Sequence, residues 1–379
     1  MSKTILYSLA FVALGLISGS IGPTLPALAA QTNVELKQIS NLFVARSFGT
    51  LVGSWMIGRL YDRFTGHPLL AGSLLASALA MAMFPASNLL WVLLALSVFI
   101  GLASASINVG GNALIVMVHG ERVRPFMSVL HFAFGLGGFL APMLVALFES
   151  RADGLQWTYW SLAMLSLPVI LLTMLSRSPA PSISHHEEKA ANIPTPLLIL
   201  LLLYFFLEVG AEATVMGWIF SYAVSQGIPT KTAYQINSAF WAAFTAGRLA
   251  TVWLSVRFAA LPLVRFHICL TALFAVALLV LPISTGLLWT CAIGLGLAVA
   301  PVFPSTFGYA QNRLHLSGRI TGYFLVGASA GGMFWPRVVG QFFESQGAQV
   351  MTWIVLLNLL GALALIRFIS LPARAETEG

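Results

Sequence analysis

Gly137-Gly138-Phe139-Leu140-Ala141-Pro142 returns as Gly331-Gly332-Met333-Phe334-Trp335-Pro336, an offset of 194 residues in a chain of 379. The same offset carries Gly53 onto Gly247 and Arg63 onto Arg257. A constant displacement of this length marks an internal duplication, two copies of one unit that together account for nearly the whole chain. Composition says what kind of unit it is. The chain is 58% hydrophobic and 8% charged, with a mean hydropathy of +0.89, whereas soluble domains carry about 25% charged residues. Too few polar side chains exist to cover a water-facing globule, so the sequence reads as a polytopic membrane protein.

Apolar runs of bilayer length cover 4–30, 38–62, 68–87, 89–118, 125–149, 156–176, 196–225, 232–257, 263–283, 286–312, 318–344 and 349–370. Lipid-exposed segments of this kind must satisfy their own backbone groups, so they are expected to be helices; no alternating barrel pattern appears. The expectation is an all-α membrane protein of twelve transmembrane helices in two pseudo-symmetric six-helix bundles, 1–176 and 196–379. The polar stretch 177–195 between them is read as a cytoplasmic linker. Its His185-His186 pair is read as solvated rather than metal-binding.

The formal charge of +7 follows topology rather than nucleic acid. With a cytoplasmic N-terminus, Lys3, Arg59, Arg63, Arg122, Arg124, Arg177, Lys189, Arg257, Arg265, Arg313, Arg319, Arg367 and Arg374 share the cytoplasmic side. Lys37, Arg151 and Lys231 fall opposite. That asymmetry places both termini in the cytoplasm. Short loops and the lack of processing motifs point to a bacterial inner membrane. Lys3 to Gln31 is too long for a cleaved signal peptide, and Cys269 and Cys291, both within apolar runs, read as packing residues.

Within PLLILLLLYFFLEVGAEATVMGWIFSYA (196–223) two acids, Glu208 and Glu212, stand four residues apart and so on one helical face. A charge at bilayer depth costs roughly 3 kcal/mol on insertion scales, so each must be neutral, paired or bound to a cation. Counting depth along the helices brings Arg248 of the eighth span level with Glu208. That pairing leaves Glu212 free to couple Na⁺ or H⁺ to transport. Arg46 and Arg337, in the outer thirds of their spans, are expected to latch an outer gate through Glu35 or Glu344, or else to bind an anionic substrate.

Sugar hydroxyls are recognised by amides and carboxylates, and the apolar sugar face by aromatic rings. Candidate substrate residues are Asn108 and Asn112 in the fourth span, Gln235, Asn237 and Trp241 in the eighth, Trp218 in the seventh and His131 in the fifth. Each Trp also fits an interface anchor, and His131 fits a helix-packing histidine.

Two resemblances bear on these residues. Gly58-Arg59-Leu60-Tyr61-Asp62-Arg63-Phe64-Thr65-Gly66-His67 resembles the loop signature of major facilitator transporters, in which Asp62 and Arg63 would serve a cytoplasmic latch. Here an extra residue precedes Gly66, His67 stands where a basic residue is usual, and Val256 replaces the acid in the second half. That organisation places the substrate site near the midplane between the halves. More narrowly, the chain resembles the fucose-proton symporter family and its sodium-dependent glucose transporter branch. The matching stretches are Asn108-Val109-Gly110-Gly111-Asn112, Leu130 to Pro142, Val209-Gly210-Ala211-Glu212, Phe240-Trp241 with Gly247-Arg248, Phe303-Pro304, and Leu325-Val326-Gly327-Ala328-Ser329. The resemblance implies cation-coupled uptake of a hexose-like sugar by alternating access. It departs in the first half, whose first and fourth spans lack the acids of the fucose symporters.

No enzyme constellation, phosphate loop or metal cluster is present in the sequence, and no cofactor is expected beyond a coupling ion. Membrane lipid and a small-molecule substrate are the expected partners, nucleic acid is not, and the chain is read as a monomer. The competing readings are a drug or organic-anion antiporter of the same fold, and a non-transporting nutrient sensor, against which the compact loops count.

Overall fold

The computed structural model describes residues 2–179, 195–313 and 318–369, which form helices and turns with no strand among them. The helices are α1 (Lys3–Thr32), α2 (Leu36–Ile39), α3 (Asn41–Arg63), α4 (Gly66–Met83), α5 (Leu90–His119), α6 (Val123–Phe148) and α7 (Gly154–Leu175). The second set comprises α8 (Thr195–Ser225), α9 (Thr230–Arg257), α10 (Ala260–Val280), α11 (Thr285–Val299), α12 (Val302–Arg313), α13 (Gly318–Gln346) and α14 (Val350–Phe368). Most of the expected linker 177–195 lies outside the described residues. The single turn α2 follows a left-handed Asn33 (φ 52°) that ends α1, with the Val34 N–H reaching back to the Ala29 carbonyl.

Among the described residues, ten spans have both the length and the apolarity to cross a bilayer, α11 and most of α12 counting as one. Two further helices, α3 and α13, have the length, 23 and 29 residues, but carry Arg, Ser, Gly and Gln where the others carry Leu. These two pack against each other across the boundary between the halves. Their polarity belongs to a protein interior that borders a cavity rather than to lipid.

The duplication is reproduced atom by atom. A Cβ on Gly137 of α6 would strike the Val12 carbonyl and the Leu16 N of α1; a Cβ on Gly331 of α13 would strike the Phe206 carbonyl and the Gly210 N of α8. Both partners are displaced by the repeat offset of 194. Helix α3 meets α5 through Gly53 on the Leu102 carbonyl and Ala105 Cβ, and α9 meets α11 through Gly247 on the Leu297 carbonyl and Ala300 Cβ. Small residues let these backbones touch, which supplies helix association where lipid offers no hydrophobic drive.

One expectation needs correction. The tenth span is not one helix but breaks at Ala300-Pro301, between α11 and α12. Pro301 has no N–H and so cannot continue the ladder. His67, which stands where the loop signature usually has a basic residue, is buried, its ring nitrogens meeting Tyr7 Oη at 2.9 Å and the Ser176 carbonyl at 2.9 Å. With the Ser178 hydroxyl accepting from the Gly66 and His67 N–H groups, it ties α1, α4 and the chain after α7 together. The Asp62 side chain lies outside the described residues, and Arg63 is exposed at the end of α3.

The backbone contact at Gly137 predicts that Gly137→Val forces α1 and α6 apart. Overpacking costs about 1–3 kcal/mol or more, so the variant should unfold at a clearly lower temperature in detergent. An unchanged midpoint would show that the interface can yield.

Candidate functional site

Between the halves lies a cavity of about 330 Å³. It is lined by Phe11, Ser18, Arg46, Ser47, Asn108, His131 and Phe134 from the first half, and by Glu212, Met216, Trp241, Arg248 and Pro336 from the second, among others. The start of α1 and the end of α14 define one end of the bundle. Toward the opposite, far end the cavity is roofed by contacts between the halves. Arg337 Nε donates to Asn41 Oδ1 at 2.6 Å, the Leu36 N–H donates to Glu344 Oε1 at 3.1 Å, and Phe43 packs on Trp218 with ring centroids 6.1 Å apart. Phe134 meets Trp241 edge-on at 5.9 Å near mid-depth. These roof contacts join the two halves at the far end and close the cavity there.

Glu212 and Arg248 form the ion pair of the site, with Nη2 to Oε1 at 3.5 Å. The expected partner for Arg248 was Glu208. Side chains on a helix lean toward its N-terminus. Because α8 and α9 are antiparallel, Arg248 leans toward the far end and Glu212 leans back to meet it. Depth counted on Cα positions omits this lean. The guanidinium rests over Phe244, 4.5 Å from the ring centre, a cation–π contact that supports the same direction. Glu208 is left 1% exposed with no hydrogen bond to either oxygen, and it does not line the cavity.

The other two span arginines also differ from expectation, since neither pairs with an acid. Arg46 donates through Nη1 to the Ile17 carbonyl at 3.0 Å and through Nη2 to Ser18 Oγ at 3.1 Å. Arg337 uses Asn41 and, through Nη1, Gln341 Oε1 at 3.0 Å. Arg337 leans away from Glu344, which sits two turns nearer the far end and takes the Leu36 N–H instead.

Of the expected substrate residues, Asn108, His131 and Trp241 line the cavity. Asn112 supports from behind, donating to Asn108 Oδ1 at 2.7 Å, which leaves the Asn108 NH₂ for a ligand. Three others do not reach the cavity. Gln235 is exposed. Asn237, one turn beyond Trp241 toward the far end, is fully buried with both amide atoms unpartnered. Trp218 is part of the roof, stacked on Phe343 and donating from Nε1 to the Pro336 carbonyl at 2.9 Å. Ser18 and Ser47 are cavity residues that the residue types alone did not single out. The repeat could have found them, because Ser18 stands 194 residues before Glu212 and Ser47 the same distance before Trp241.

Two duplicated helix bundles meeting over a buried polar cavity, closed at one end, define a solute transporter rather than an enzyme. The chain belongs to the Major Facilitator Superfamily, whose family model matches residues 7–336. It is 29% identical over 371 residues to sodium-dependent glucose transporter 1A of Mus musculus, covering 87% of each chain. It is 24% identical to major facilitator superfamily domain-containing protein 4A of Pongo abelii, covering 98% of this chain and 91% of that one. Its fold is similar to that of the solved nucleoside transporter NupG, with TM-score 0.79 at 14% identity over 97% of this chain and 99% of that one.

The roof predicts a measurable gate. In a Cys269→Ser background with Ser47→Cys as reporter, Arg337→Ala removes a contact worth about 1 kcal/mol, and labelling by a membrane-impermeant thiol reagent from the far side should rise about fivefold. Equal labelling would show that Arg337 does not hold the gate.

Proposed function

We propose that this protein is a secondary transporter that takes up a hexose-like sugar with a cation, with both termini in the cytoplasm of a bacterial inner membrane. The observation that carries the reading is the composition of the cavity wall. The Asn108 amide, the His131 ring and a carboxylate–guanidinium pair face the aromatic surfaces of Phe11, Phe134 and Trp241. Polar groups of that kind exchange paired hydrogen bonds with hydroxyls, and the rings suit the apolar face of a pyranose. A volume of about 330 Å³ lies at the small end of the usual 300–1,000 Å³ range for ligand cavities. The sodium-dependent glucose transporter relatives favour sodium as the cation and a sugar as the substrate.

The mechanism follows from the two states such a fold adopts. A ligand shifts the equilibrium only through unequal affinity for them. The Glu212–Arg248 pair, at 3.5 Å, is longer than the 2.7–2.9 Å of a tight charged hydrogen bond. Sugar hydroxyls entering between these groups replace a weak contact by several, drawing α8 and α9 toward Asn108 and His131. A second reading, an organic-anion antiporter, rests on Arg46, which faces the same cavity and has no acid partner among the described residues.

Proteoliposome uptake tests both. Labelled hexose should accumulate under an imposed sodium gradient and be displaced by other hexoses; displacement by organic anions alone establishes the second reading. Trp241→Ala should raise the half-saturating sugar concentration about tenfold, the equivalent of a 1.4 kcal/mol loss of stacking. Glu212→Gln should abolish gradient-driven accumulation, and full accumulation would remove Glu212 from the mechanism.

A further inference from the structure

Arg46 is hydrogen-bonded but not neutralised. A guanidinium has five N–H donors; Arg46 spends two, on the Ile17 carbonyl and the Ser18 hydroxyl, and neither acceptor carries a charge. The electrostatic neighbour of the group is the Tyr159 hydroxyl. Of the two acids of α8, Glu212 bonds to Arg248, and the cation that acts on Glu208 is likewise Arg248. Packing does not require a cation at this place. The duplication sets Phe240 at the position of Arg46 in the second half, and there an apolar ring is fully buried.

The ionisable groups on the cavity wall are Arg46, Arg248, Glu212 and His131. Glu212 and Arg248 cancel, so Arg46 leaves the wall with an excess of positive charge. At this depth a charge calls for a counter-charge, and the missing anion is something a bound ligand can bring. The cavity also has two distinct polar ends. Phe11 meets His131 edge-on with ring centroids 6.2 Å apart. Arg46 binds at Ile17 and Ser18, about two turns further along α1 and so roughly 10 Å nearer the far end. Between the two, α1 packs on α6 through Gly15, where a Cβ would strike the Phe134 carbonyl and the Gly138 N, and Trp241 covers Gly138 from α9. The aromatic wall of Phe134 and Trp241 therefore stands between a guanidinium end and an imidazole end.

We propose that the substrate is an acidic sugar, a hexose-like ring carrying a carboxylate in place of its terminal hydroxymethyl, and that Arg46 is the residue that reads the carboxylate. The exchange adds one oxygen and leaves the ring unchanged, so an acidic sugar fits the cavity that fits a hexose. The planar fork of a guanidinium matches the two oxygens of a carboxylate. Its bonds to Ile17 and Ser18 hold that fork in place before the ligand arrives. The ring then lies along Trp241, with its remaining hydroxyls toward Asn108 and His131. The acid that Arg46 lacks and the hydroxyls that the other end recognises belong to one molecule. The proposal rests on the sugar reading given above for the hydroxyl-bearing ring, but not for the carboxylate.

The test is calorimetric binding to the purified full chain in nanodiscs with sodium present. The ligands are glucuronate, galacturonate and mannuronate, the three matching hexoses, and cyclohexanecarboxylate, which keeps a ring and a carboxylate but no hydroxyl. At least one hexuronate should bind about tenfold or more tightly than its matching hexose, the scale of one forked charged pair. Cyclohexanecarboxylate should bind more weakly than that hexuronate, and Arg46→Gln should remove the preference for the acid. Hexoses that bind as tightly as their hexuronates overturn the proposal and leave the sugar reading standing. A monodisperse Arg46→Gln protein that keeps the preference overturns the assignment to Arg46. If that variant fails to fold, Arg46→Lys decides, because an ammonium cannot form the fork, and an unchanged preference there overturns the assignment too. Cyclohexanecarboxylate binding as tightly as the hexuronates sinks the sugar reading and the proposal with it, as does binding of none of these ligands.

Discussion

A charge placed at the depth of the hydrocarbon must find compensation, and this requirement organises the structure. Arg46 and Arg337 answer it with carbonyl, hydroxyl and amide oxygens, and Arg248 answers it with Glu212. Each of these groups draws a second helix toward its own, so the polar contacts fix which helix faces meet at the centre. The glycine contacts of α1 with α6 and α8 with α13 then bring the backbones close enough for short side chains to complete the wall.

The halves share a scaffold but have diverged chemically. Ser18 serves Arg46 where Glu212 serves Arg248, and Ser47 occupies the position that Trp241 takes in the second half. Hydroxyl and amide groups therefore dominate the first wall, and a carboxylate and a large ring the second. The acids at span depth and the helix break are confined to the second wall.

Much of this was legible in the sequence. Most of the spans follow from hydropathy, and α3 and α13, more polar than the rest, from their length and their place in the repeat, because a bilayer admits few alternatives. Asn108, His131, Trp241, Glu212 and Arg248 were legible from residue type at span centres. Side-chain direction was not: Arg248 chose Glu212, and Asn237 and Gln235 lie beyond the cavity or away from it, because lean and helix rotation are absent from a linear count. The break at Pro301 was equally hidden. Pro23, Pro26, Pro142, Pro168 and Pro336 all sit inside continuous helices, so a proline in a span does not by itself announce an interruption.

The far-end roof joins its charged members to neutral ones, Arg337 to an asparagine amide and Glu344 to a backbone N–H. Attraction between two exposed full charges weakens as ions are added, with a screening length of about 10 Å at 0.1 M salt. Short charge–dipole contacts at hydrogen-bond distance lie well inside that length. The far-end roof is thus closed by contacts in which neither partner faces a second full charge, so it depends less on ionic strength than a roof of exposed ion pairs would.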